Sequence, residues 1–81
     1  MDKERVMSKL TELFQELFED DNIVVTEKTT AKDIEEWDSL AHLELISTVE
    51  AEFKIRFTLG EINGFDNVGE MCSCIMKHLE A

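Results

Sequence analysis

An 81-residue chain with 43% hydrophobic residues can bury one core but has little room for an enzyme cleft beside it, so it reads as a single domain, residues 1–81, that binds rather than catalyses. The 19 acidic residues against 8 basic give a net charge of -11, which repels nucleic acid and anionic lipid, favours partners with Lys and Arg patches, and argues for a monomer. The charged start Met1-Asp2-Lys3-Glu4-Arg5 leads into no continuous apolar segment, so the expectation is a cytoplasmic protein with neither signal peptide nor membrane span.

Apolar residues at Val6, Met7, Leu10, Leu13, Phe14, Leu17 and Phe18 have the one-face spacing of a helix, predicted over residues 2–19 with Asp2 as its cap. Glu12, Gln15, Glu16 and Glu19 fall on the other faces and read as solvated. Residues 20–38 lack helical periodicity and offer no second strand for Val24 and Val25 to pair with. They read as a long loop whose apolar members, Ile23, Val24, Val25, Ile34 and Trp37, rest on the helices.

The second helix is predicted over residues 39–54. Asp38 has the chemistry of an N-cap, which puts Ser39 at the first helical position. An anion joined to the Ser39 oxygen would there meet unpaired backbone amides and the positive end of the helix dipole. Plotted on a helix, Leu43, Ile46, Val49 and Phe53 form a core stripe flanked by His42 and Leu45, while Leu40, Glu44, Ser47 and Ala51 face away. Leu40, apolar and directed outward beside Ser39 and Glu44, reads as a docking contact. A Ser39-His42 nucleophile pair is a poor alternative, because no group to orient the imidazole and no oxyanion donor can be identified.

Thr58-Leu59-Gly60-Glu61 fits a capping box, opening a short third helix over residues 59–63 that Gly64 can end in a left-handed conformation. Asn67, with Glu70 three residues on, is a cap for a fourth helix. Its core stripe is Val68, Met71, Cys72, Ile75, Met76 and Leu79, and Lys77 and His78 complement its negative end. Cys72 and Cys74 lie about 200 degrees apart on that helix, so the expectation is one core thiol, one exposed thiol and no shared metal. His42 and His78 give no recognisable ligand pattern either.

These patterns describe an all-α chain. The D-S-L of Asp38, Ser39 and Leu40, followed by L-E-L-I at Leu43 to Ile46 and E-A-E-F at Glu50 to Phe53, resembles an acyl carrier protein over most of the chain. The resemblance implies a small four-helix bundle with three longer helices, a short third helix and a long first loop. It implies 4'-phosphopantetheine on Ser39, beside the cap Asp38, carrying acyl or aminoacyl groups as thioesters, with no catalysis by the carrier itself. It gives the second helix a recognition role, with Leu40, Glu44, Ser47 and Glu50 toward partner enzymes. It also implies a cargo groove framed by the second and third helices, lined by His42, Leu43, Ile46, Ile62 and Phe65. Implied partners are a phosphopantetheinyl transferase, an acyl- or aminoacyl-loading ligase and downstream acyl-using enzymes with basic patches. Trp37, Ala41 and Phe65 depart from the common family pattern and point to a short acyl or aminoacyl cargo. The alternative from composition alone is an acidic helical adaptor for a basic partner, with Ser39 only a helix start.

Overall fold

The computed structural model describes residues 2–80. Its elements run α1 (Lys3–Phe18), α2 (Ser39–Phe53), α3 (Leu59–Gly64) and α4 (Val68–Glu80), with no strand among the described residues. α1 packs against both α2 and α4. The helix starts follow the cap chemistry. Asp2 accepts the Arg5 amide at 2.9 Å, and Asp38 accepts the Ala41 amide at 2.9 Å. Thr58 and Glu61 form the full capping box at α3.

Both longer N-terminal helices end on a non-glycine residue in the left-handed region, Glu19 at φ 51° and Lys54 at φ 57°. Each is held by reverse hydrogen bonds onto the last turn, such as the Ile55 amide to the Glu50 carbonyl at 3.1 Å. No glycine has positive φ, so Gly64 does not end α3 in the left-handed conformation expected of it; the C-cap is Phe65, extended at φ -76°.

The core gathers Val6, Leu10, Leu13 and Phe14 of α1, Leu45, Ile46, Val49 and Phe53 of α2, and Val68, Met71, Cys72 and Ile75 of α4. Leu43, placed in the core stripe by periodicity, is 59% exposed, and Leu45 takes the buried place instead. From the loop, Val25, Ile34 and Trp37 are buried, whereas Val24 is 72% exposed and contributes nothing to the core.

Polar contacts fix the long loop at three points. At its start, the Gln15 side-chain amide, expected to be solvated, donates to the Ile23 carbonyl at 2.9 Å. At its middle, the carbonyls of Thr29 and Glu27 accept the Val68 and Gly69 amides at 2.8 and 2.9 Å. These are two of the amides that a helix start leaves unpaired, and Asn67 takes a third from Glu70 at 2.8 Å, so the loop and the start of α4 complete each other. A Cβ on Gly69 would come within 2.7 Å of the Glu27 carbonyl oxygen, which is why this contact needs glycine. At its end, Trp37 is buried edge-on against Phe14, ring centroids 5.1 Å apart, and anchors the residues just before Ser39.

Candidate functional site

Ser39 opens α2 at the surface, its side chain exposed. Asp38 has already taken the Ala41 amide through its side chain and the His42 amide through its carbonyl at 2.8 Å. The Ser39 and Leu40 amides have no partner among the described residues and point out of the helix start beside the Ser39 hydroxyl. An anion tethered to that oxygen therefore meets two free N–H donors and the positive end of a 15-residue helix.

Beside Ser39 lies a solvent-open cleft of about 560 Å³, walled by Trp37, Asp38, His42 and Leu43 on one side and by Ile62, Asn63, Phe65 and Asp66 on the other. Four of the five residues expected in a groove, His42, Leu43, Ile62 and Phe65, thus meet there. The fifth, Ile46, is 3% exposed and belongs to the core instead. Phe65 is half-buried, edge-on against Phe57 with centroids 5.3 Å apart.

His42 ties the two walls together. The Trp37 indole N–H can only donate, so His42 Nδ1 accepts from it at 3.2 Å and the ring proton sits on Nε2, which donates to the Ile62 carbonyl at 3.0 Å. The Trp37 and His42 rings also stack at 5.9 Å. This chain from loop to α2 to α3 explains why Trp37 stands before Asp38. Sequence reasoning missed it because it depends on where α3 returns.

On the outer face of α2, Leu40 is 69% exposed and Glu44 and Ser47 lie in solvent with it. Glu50 is engaged locally: its carboxylate accepts the Phe57 amide at 2.8 Å and fastens the turn after α2.

A second cluster lies across α3 and α4. Cys74, expected to be exposed, is half-buried, and its thiol donates to Glu61 Oε2 at 3.1 Å, while His78 Nε2 lies 3.0 Å from Glu61 Oε1. The Thr58 amide, then the Cys74 thiol and His78, pull the Glu61 carboxyl down to about 2. Burial, then the hydrogen bond the thiol donates to Glu61 and the charge of that carboxylate, push the Cys74 thiol up to about 11. His78, which gave no recognisable ligand pattern in the sequence, stands here with Glu61 and Cys74, the donor atoms of the three within 4.8 Å of one another. The i,i+4 pair Cys74 and His78 was visible in the sequence, while the arrival of Glu61 from α3 was not.

The family model for the phosphopantetheine attachment site matches residues 8–75, which include Ser39 and every residue of the cleft. This chain belongs to the phosphopantetheine-bearing acyl carrier proteins. Its structure is similar to the solution NMR structure of a holo acyl carrier protein from Geobacter metallireducens, 43% identical over 93% of this chain and 86% of that one, with TM-score 0.88. It is also similar to the crystal structure of an acyl carrier protein from Thermotoga maritima, 28% identical over 99% of this chain and 93% of that one, with TM-score 0.85. No curated protein matches the chain significantly. The acyl carrier's cofactor is 4'-phosphopantetheine, and the alternative of an adaptor without a prosthetic group is not favoured. No helix among the described residues is long and apolar enough to cross a membrane.

Proposed function

We propose that Ser39 is the residue to which 4'-phosphopantetheine is joined, and that the chain shuttles a short acyl or aminoacyl cargo between enzymes without catalysing a reaction itself. The observation that supports this most is an exposed hydroxyl at a capped helix start with two free amides beside it and a cleft at its foot. When bound, the group supplies a terminal thiol on a flexible arm, to which the cargo is joined as a thioester. Ser39 provides the oxygen of attachment, and the Ser39 and Leu40 amides offset the phosphodiester charge. Asp38 keeps the helix start formed, and His42 holds α3 against α2 so that Leu43, Ile62 and Phe65 can shelter the proximal arm or a short cargo.

Leu40, Glu44 and Ser47 are the proposed docking surface, with Glu50 adding charge. They face a phosphopantetheinyl transferase, an acyl- or aminoacyl-loading ligase and downstream acyl-using enzymes with basic patches. A net charge of -11 speeds encounter with such surfaces more than it tightens the complexes, which suits a carrier that must release each partner. Tethering then raises the effective concentration of cargo at successive active sites. We place this single-domain monomer in the cytoplasm, where those enzymes would work. Incubating the purified chain with coenzyme A and a broad-specificity transferase tests the proposal by intact mass. One adduct on the wild type and none on Ser39→Ala is expected, and an unmodified wild type or a modified variant refutes it.

A further inference from the structure

Away from the cleft, Glu61, Cys74 and His78 form a group that the carrier function does not use. Cys74 and His78 stand one turn apart on α4 and Glu61 faces them from α3; their donor atoms lie within 4.8 Å of one another, all three residues half-buried. A thiolate, an imidazole and a carboxylate are the donor types zinc prefers, and three protein ligands with a fourth position left to water is a common zinc arrangement. Bond lengths of about 2.0 to 2.3 Å in a tetrahedral site put donor atoms about 3.3 to 3.6 Å apart. The contacts to Glu61, 3.1 Å from Cys74 Sγ to Oε2 and 3.0 to 3.2 Å from His78 Nε2 to its two oxygens, need to open by a few tenths of an ångström, while zinc must also set Cys74 Sγ and His78 Nε2, which lie within 4.8 Å of each other, at about 3.5 Å.

Outer contacts support the same geometry. Glu61 Oε1 is held by the Thr58 amide at 2.8 Å, which aims Oε2 toward Cys74, and the His78 ring is held edge-on by Phe57 with centroids 5.6 Å apart. We propose that Glu61, Cys74 and His78 bind one zinc ion that staples α3 to α4. On binding, the Cys74 S–H bond breaks, its proton leaves to solvent, and an S–Zn bond forms with no change of oxidation state. The staple acts on the cleft, because α3 contains no buried residue of its own yet supplies Ile62 and Asn63 to the cleft wall. Zinc thus firms that wall.

The test uses the full-length chain confirmed by mass to lack phosphopantetheine, so that no arm thiol can act as a ligand. Titration with zinc chloride, followed by calorimetry and native mass spectrometry, is expected to give one ion per chain and a higher Tm. Cobalt(II) substitution is expected to give a thiolate-to-cobalt charge-transfer band with tetrahedral visible bands, a direct readout of Cys74 in the folded wild type. Cys74→Ser and His78→Gln are expected to weaken zinc at least about tenfold and Cys74→Ser to abolish the charge-transfer band, while Cys72→Ala leaves both unchanged. Absence of the band, or zinc affinity in Cys74→Ser and His78→Gln equal to the wild type, overturns the proposal and leaves only diffuse binding to an acidic surface. None of these outcomes depends on Ser39.

Discussion

Replacing His42 with Ala tests whether the link from Trp37 through His42 to Ile62 holds the cleft together. The variant loses the Trp37 indole hydrogen bond at 3.2 Å, the Ile62 carbonyl hydrogen bond at 3.0 Å and the stacking on Trp37. Each neutral hydrogen bond contributes about 0.5 to 1.5 kcal/mol net. At a half-buried site the stacking adds about 0.5 kcal/mol, the low end for ring pairs. The sum is about 2.5 kcal/mol, which for a domain of this size lowers Tm by about 10 to 20 °C. Trp37→Phe removes the indole N–H while keeping a ring against Phe14. If the two residues act through one hydrogen bond, the double variant must lose about 1 kcal/mol less than the sum of the single losses. Urea unfolding at neutral pH, followed by far-UV circular dichroism in all four proteins, measures the cycle. His42→Ala costing under about 0.5 kcal/mol, or losses that simply add, refutes the reasoning.

Asp38→Ala removes the acceptor of the Ala41 amide and is expected to cost about 1 kcal/mol in urea unfolding. Gly69→Ala drives a Cβ against the Glu27 carbonyl and should cost about 1 to 3 kcal/mol, while Gly60→Ala, with nothing within 4 Å of its Cβ, is expected to stabilise by up to about 1 kcal/mol. With zinc removed by a chelator, Glu61 has a folded value of about 2, below its ordinary 4.5. Its contribution is therefore complete above pH 4.5 and lost as pH falls toward 2, so the stability gap between wild type and Glu61→Gln, measured by urea unfolding across pH, should narrow over that interval. At a net charge of -11, self-repulsion should lower Tm in very dilute buffer, and calorimetry should show Tm rising as salt approaches 0.1 M, where the screening length falls to about 10 Å.

Local chemistry was the most legible part of the chain. The caps at Asp2, Asp38, Thr58 and Asn67 rest on side chains reaching three residues along, so four helix starts could be read directly, and with them the position of Ser39. The face of α2 was harder. Its apolar residues at 40, 43, 45, 46, 49 and 53 run most of the way round, and Leu43 lies about 110 degrees from the centre of the buried arc. Only packing against α1 decides between Leu43 and Leu45. Gly64 allowed a left-handed ending without requiring one. Contacts that cross between elements were silent in the sequence: Gln15 on the Ile23 carbonyl, Glu50 on the Phe57 amide, and Glu61 opposite Cys74 and His78. Each needs a backbone that returns from a distant position, and no local pattern records that return.

Everything proposed for the cleft depends on which oxygen bears the arm. Trypsin cuts after Lys32 and Lys54, releasing a peptide from Asp33 to Lys54 that holds three hydroxyl side chains, Ser39, Ser47 and Thr48. Tandem mass spectrometry of that peptide, after modification of the wild-type chain by a transferase, is expected to place the phosphopantetheine mass on Ser39. The mass on Ser47, on Thr48 or on a different peptide would contradict the account.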